Sequence, residues 1–235
     1  MGPQTFVGRS VFLREGLKIM SASFDITHSE LPDEIPVFPL PRVILLPRVN
    51  LPLNIFEPRY LLMTEHALQN GRLIGMIQHA EGDALQKTGC VGRISSFTET
   101  DDGRFLVTLR GICRFDVARE LPLAAGGFRR VQPDWSPYAG DFAPDTSTDV
   151  CRDKMMAALK PYLQKMDMVC DEWEKIRNIG CDSLISTLSV VCPFGTVEKQ
   201  ALLEAKTLVD RAKLLQAFLD IECKAAEEKE EDTCH

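Results

Sequence analysis

The residues able to do chemistry are numerous in this chain, but their spacing does not gather them into a site. Eight cysteines stand at Cys90, Cys113, Cys151, Cys170, Cys181, Cys192, Cys223 and Cys234. A zinc ribbon or a dithiol redox centre needs paired ligands a few residues apart, as in Cys-x-x-Cys. No such pair occurs, so the expectation is buried free thiols in a reducing compartment. Cys170, Cys181 and Cys192 recur every eleven residues, about three helical turns, but turn-forming residues interrupt that stretch. Cys234-His235 offers only two donors, and His28, His66 and His79 are scattered. His66, beside Met63 and Ala67 in a helical pattern, reads as a half-buried polar residue. Glu57 and Arg59 flank Pro58 with no partner acid or nucleophile nominated by the sequence. Their structural role is for Glu57 to meet the positive end of a helix and for Arg59 to pair with a carboxylate. Gly75, Gly82, Gly89, Gly92, Gly126 and Gly127 never form Gly-x-x-x-x-Gly-Lys-Ser/Thr, and no Gly-x-Ser-x-Gly elbow exists. No catalytic, cofactor-binding or metal-binding residue is therefore assigned, and the expectation is a non-enzyme without a cofactor.

Arg110, Arg114, Arg129 and Arg130 would make a basic stripe if they shared a strand edge. No aromatic-rich segment accompanies them, and Asp116 and Glu120 are interleaved, which weakens an RNA reading. The formal charge of −7 points the same way. Much of that charge lies in residues 222–235, where six acids face only Lys224 and Lys229. No apolar run reaches the roughly 18–20 residues of a membrane-spanning helix. Val11-Phe12-Leu13 is too short for a secretory core, and Met20 followed by Ser21-Ala22-Ser23 resembles an alternative start. The expectation is a cytoplasmic protein with no membrane partner.

The elements that must position any site begin with residues 35–60. Pro36, Pro39, Pro41, Pro47 and Pro52 interrupt an apolar run there. Proline lacks an amide donor and fixes φ, so the run predicts short extended pieces broken by turns rather than a helix or a regular central strand. Pro58 suits a first helical position, and Tyr60, Met63, Thr64 and Ala67 continue a stripe closed by Asn70-Gly71. Residues 73–77 and 91–97 read as strands. Asp101-Asp102-Gly103-Arg104 reads as a hairpin turn into alternating Phe105, Val107 and Leu109, with a bulge at Gly111. Residues 1–33 are expected to be flexible, 34–135 to form a β domain with one helix, and 136–147 to be a linker. Residues 148–223 are expected to form a helical bundle kinked or divided at Pro161, with stripes through Met155 and Leu159, Trp173 and Ile176, and Leu184 and Leu188. Helices are also expected from Thr196 and from Thr207, the latter capped with Asp210. Residues 224–235 read as an acidic disordered tail.

Several of these segments match one family in order. Leu51-Pro52-Leu53-Asn54-Ile55-Phe56-Glu57-Pro58-Arg59-Tyr60 is followed by Gly89-Cys90-Val91-Gly92-Arg93-Ile94, then Asp102-Gly103-Arg104 and Gly111-Ile112-Cys113-Arg114-Phe115. Glu198-Lys199-Gln200-Ala201-Leu202-Leu203-Glu204 follows late in the chain. Together they resemble the N-terminal substrate-binding domain of Lon-type ATP-dependent proteases, over roughly residues 34–220, a family related to the N-terminal domain of cereblon. The resemblance implies an α+β fold, a PUA-like β pseudo-barrel followed by an α-helical bundle. It implies a non-catalytic module for unfolded or client polypeptides, with a protease or chaperone as a further partner, as an adaptor or regulator of ATP-dependent proteolysis. The alternative is an RNA-binding PUA-like protein. The phosphate loop and the Ser–Lys dyad that a complete Lon protease needs are not found, and no polypeptide-binding residue is singled out.

Overall fold

The structure, a computed structural model, describes residues 26–143, 152–165 and 179–232. The expected Trp173 and Ile176 stripe and residues 1–25 lie outside these. Among the described residues there are six strands: β1 (Ile35–Pro39), β2 (Asn50–Ile55), β3 (Leu73–Ile77), β4 (Thr88–Glu99), β5 (Phe105–Leu121) and β6 (Arg129–Asp134). They form one mixed sheet in the order β2-β5-β4-β3-β1-β6, and β6 also pairs with β5. Pairings therefore run in a ring through β5, β4, β3, β1 and β6, while β2 attaches to the N-terminal half of β5. The 17-residue length of β5 makes this geometry work: residues 105–110 meet β2 and residues 116–121 meet β6.

The proline-rich opening does contain an interior strand, which differs from expectation. β1 lies between β3 and β6, but its pairing is divided. Residues 35–37 pair with β6 and residues 37–39 with β3, so only Val37 is registered on both sides. Pro36 and Pro39 each occupy a half with a single registered neighbour, which accommodates their missing amide donors. Leu40 then donates its N–H to Ile77 O at 3.0 Å, and the chain turns away.

The β4–β5 hairpin turns at Gly103 with φ +76°, a conformation that favours glycine. Beyond it the register jumps from Gly92↔Gly111 to Val91↔Cys113, leaving Ile112 as the extra residue of the expected bulge. Gly111 is also where the chain crosses residues 46–49, and a Cβ there would overlap the Leu46 carbonyl oxygen.

Among the described residues there are five α-helices: α1 (Pro58–Gln69), α2 (Arg152–Lys165), α3 (Cys181–Val191), α4 (Thr196–Glu204) and α5 (Leu208–Asp232). Pro58 opens α1 and buries Tyr60, Met63, Thr64 and Ala67, as the stripe predicts. Pro161 does not divide α2, which runs through it with Met155, Leu159 and Tyr162 buried. Thr207 and Asp210 form the expected cap, with Asp210 N–H donating to Thr207 Oγ1 at 3.1 Å. α5 then continues through Asp232, into the stretch expected to lack structure. Alanine, glutamate and lysine dominate that stretch and favour helix, so high charge does not by itself prevent one.

One apolar core joins sheet and helices, from Leu45, Leu51, Ile74 and Leu109 through to Leu159, Leu188, Leu202 and Leu215. A second, smaller cluster on the opposite sheet face centres on Ile35, Val91, Cys113 and Phe115. Ile26, Leu31, Trp135, Tyr138 and Phe142 cover it. The last three belong to the stretch at Trp135–Phe142, where a 3-10 segment, Ser136–Phe142, occupies much of the expected linker.

Candidate functional site

The groups singled out as candidates for chemistry are, where described, absorbed by structure. Cys90, Cys113 and Cys192 are buried free thiols and Cys181 is half-buried. Burial pushes the Cys113 and Cys192 thiols up to about 12 and raises Cys90 as well, which suppresses the reactive thiolates. Among the described residues no group of three or more potential metal ligands comes together. His28 lies edge-on to Phe142, His66 tilts against Phe128, and His79 sits 4.0 Å from Asp83, each on a different part of the chain. His66 is exposed rather than half-buried, because helical periodicity turns Met63 and Ala67 inward and position 66 outward. Glu57 and Arg59 pair with each other at 3.0 Å, and Arg59 also covers the Tyr60 ring. Glu57 is the N-cap residue of α1 but makes no side-chain capping bond.

The basic stripe does not assemble. Arg114 is buried and bidentate with Asp141, with Nε–Oδ2 at 2.9 Å and Nη2–Oδ1 at 2.8 Å. Its Nη1 donates to the carbonyls of Leu203 and Ala205 at the C-terminal end of α4, at 3.1 and 2.7 Å. Desolvation opposes its charge, but the Asp141 carboxylate outweighs it and moves the pKa up. Arg129 meets Glu120 at 2.7 Å and Arg130 meets Glu34 at 2.5 Å. Arg114, Arg129 and Arg130 therefore have carboxylate partners, and the first of these holds the helices to the sheet.

A second polar joint supports the same contact. Gln78 donates to Gln200 Oε1 and to Thr196 O, both at 3.0 Å, while Gln200 donates to Thr88 O at 3.1 Å. Lys199, buried beside them in sequence, caps α3 by donating to Ser189 O at 2.8 Å and Val190 O at 2.5 Å. Burial brings its pKa down to about 8. Arg114, Gln78 and Gln200 therefore fix the sheet against α4, and fix what each leaves outside.

Of the exposed large apolar side chains, Leu62, Leu123, Val197 and Ile221 lie apart from the hairpin, and Phe56, Phe97 and Leu106 gather at one end of the sheet. Along β5, Phe105, Val107 and Leu109 point inward, so Leu106 points out and is 39% exposed. Asn54 on β2 and Thr98 on β4 flank it in register. Phe56 follows β2 directly, is 45% exposed, and lies 6.0 Å from the Arg104 guanidinium. On the other face Phe97 packs edge-on to Phe105 at 4.9 Å yet stays 39% exposed. The hairpin end thus offers Phe56 and Leu106 on one face and Phe97 on the other, within two register positions. Ionisable side chains flank it at Glu57, Glu99, Asp101, Asp102 and Arg104, and Asp102 and Arg104 neutralise each other at 2.8 Å. An uncharged, partly exposed apolar group of this kind is suited to contact rather than catalysis.

Comparison with known proteins gives this surface its context. Residues 34–220 match the family model of the ATP-dependent protease La (LON) substrate-binding domain. The chain belongs to that family. It is 23% identical over 219 residues to the Lon protease of Cytophaga hutchinsonii, covering 88% of this chain and 26% of that protein. It is 24% identical over 208 residues to Lon protease 1 of Hydrogenovibrio crunogenus, covering 84% and 25%. The chain thus spans about a quarter of the length of these curated relatives. A Lon N-terminal domain protein from Xanthomonas campestris superposes with a TM-score of 0.57 at 23% identity, over 78% of this chain and 97% of that one. The N-terminal domain of the Mycobacterium avium complex Lon protease gives 0.58 at 17%, over 80% and 98%. Both likenesses establish the shared fold.

Sequence reasoning missed two residues. Asp141 lay in an expected linker, where nothing local marks it as the partner of an arginine 27 residues earlier. Phe56 follows Ile55 in an apolar run, which by itself suggests burial, whereas the alternation along β2 places it outside.

Proposed function

We propose that this chain binds unfolded or extended segments of client polypeptides, without chemistry of its own, through the apolar pair Phe56 and Leu106. Membership of the Lon substrate-binding domain family supplies the class of ligand, and the exposure of these two side chains is the observation that carries the reading. Partial burial of Phe56 and Leu106 alone by a ligand would be worth about 1 kcal/mol each. Micromolar capture needs about 8 kcal/mol net of the cost of association, so these two contacts supply a small share and pairing with the rest of the bound segment must supply the remainder. We read the ring of pairings as a PUA-like pseudo-barrel and α2 to α5 as a helical bundle, with the shared core and the Arg114 joint as support. In the cytoplasm such a module would serve as an adaptor or regulator of ATP-dependent proteolysis, or as a small chaperone-like binder.

The test is fluorescence anisotropy with a labelled, reduced and carboxymethylated protein, run beside a labelled single-stranded RNA. Saturable binding of the unfolded protein, with only weak salt dependence, is expected. Binding of RNA alone, with a steep salt dependence, would replace this reading by an RNA-binding one. No hydrolysis of ATP or peptide is expected from the purified chain.

A further inference from the structure

The hydrogen-bonding direction along β2 says how a polypeptide would be held. Arg48 donates its N–H to Gly111 O at 2.8 Å, and Gly111 N–H donates to Val49 O at 2.9 Å. Arg48 has φ +67°, so this is a bulge with its first residue in the left-handed region. From Val49 onward β2 and β5 keep an unbroken register, Leu51↔Leu109, Leu53↔Val107 and Ile55↔Phe105. In an antiparallel ladder the backbone groups of every second residue face the partner. Leu51, Leu53 and Ile55 therefore direct their N–H and C=O groups to β5. Asn50, Pro52 and Asn54 direct theirs away, out of the sheet.

β2 is the end strand in the sheet order, and β5 is its registered neighbour. Its outward side offers the carbonyl of Pro52 together with the N–H and carbonyl of Asn54. Natural edges are usually guarded by charges, above all lysine, or by proline. The segment Asn50–Ile55 has no charged residue, so Pro52 is its one guard. The side chains of Pro52 and Asn54 share the outer face with Leu106, and Phe56 continues that face beyond the end of the strand.

We infer that β2 is a strand-addition edge: an extended client segment pairs along Pro52–Asn54 and lays alternate apolar side chains toward Leu106 and Phe56. This rests on the polypeptide-binding reading and specifies its geometry. Backbone pairing makes recognition independent of sequence, while the apolar side chains favour segments that a folded protein would bury. A second copy of this chain is the poorer occupant. Paired about its own β2, it would set a second Pro52 into the ladder and lose a further donor, whereas a client segment meets that gap once. The proline thus discourages self-association more than it discourages clients.

The test uses an acetylated, fluorescein-labelled ten-residue peptide alternating leucine and threonine, with two terminal lysines for solubility. Two further versions carry N-methyl groups on all leucines or on all threonines. An N-methyl group removes a donor and blocks close approach of a strand, but only on the side that faces the protein. One methylated version is expected to lose at least ten-fold in affinity while the other binds within about two-fold of the parent. Hydrogen exchange of the Asn54 amide should slow when the parent peptide binds. If both methylated peptides bind as the parent does, and Asn54 exchange is unchanged, strand addition is refuted while polypeptide binding stands. If the parent peptide and the carboxymethylated protein both fail to bind, the two readings fall together.

Discussion

Replacing Asp141 by Asn is the sharpest probe of how the helices are fixed to the sheet. The change is close to isosteric, so it removes charge without opening a cavity. Arg114 and Asp141 have side chains only 7% and 10% exposed, so neither is well screened by water. Asp141 accepts from Arg114 Nε, Nη2 and the Arg114 backbone N–H, the last at 2.9 Å. An amide at position 141 keeps one acceptor oxygen, turns the other atom into a donor facing the guanidinium, and leaves a buried cation without its counter-charge. Breaking a buried pair from one side costs about 3–5 kcal/mol. Against a usual total stability of about 5–15 kcal/mol, that is a large fraction. For a chain of this size each kcal/mol lowers Tm by about 2–4 °C, so a fall of about 6–20 °C is expected. Thermal melts followed by circular dichroism measure the fall, and urea unfolding measures the free energy. Replacing both partners, Arg114→Met with Asp141→Leu, should cost less than Asp141→Asn alone, since no unpaired charge then remains. A cost below about 1 kcal/mol for Asp141→Asn would refute the joint as described.

Other outcomes follow from the same structure. Lys199 has a folded pKa of about 8 against 10.5 for the free group, so folding disfavours its charged form and stability rises as pH climbs through 8. From about pH 8.5 the buried thiols act in the opposite sense, because their raised folded pKa values make the unfolded chain ionise first. The Lys199 contribution is therefore read as a difference: between pH 7.5 and 9 the stability of the chain relative to Lys199→Met, from urea unfolding of both, should rise by about 1 kcal/mol. Gly111→Ala, which sets a Cβ against the Leu46 carbonyl, should destabilise the protein by several-fold more than Gly103→Ala. The latter meets only open space and the penalty of a positive φ, about 1–2 kcal/mol. Thermal melts of the two variants compare them directly.

Local signals were legible in the sequence where one residue type enforces one backbone. Pro58 started α1, Asn70-Gly71 ended it, Asp102-Gly103 turned the hairpin, and Thr207 with Asp210 capped α5. The family was legible because its segments recur in order. Long-range partners were not: Asp141 carries no mark of Arg114, and Glu34 none of Arg130. Pro36 and Pro39 argued against an interior strand because the rule on proline assumes pairing along the whole of both sides. β1 divides its pairing between two neighbours and escapes the rule. Exposure at the binding surface was equally hidden, since an apolar run does not say which side chains the sheet turns outward until register is known.

The account turns on whether the apolar end of the sheet captures polypeptide. The direct measurement is the affinity of the carboxymethylated protein for the chain and for its Phe56→Ser/Leu106→Ser variant, with circular dichroism to show that the variant is folded. Loss of about 2 kcal/mol of contact predicts affinity weaker by about 30-fold. Equal affinity in a folded variant would contradict the assignment of this surface.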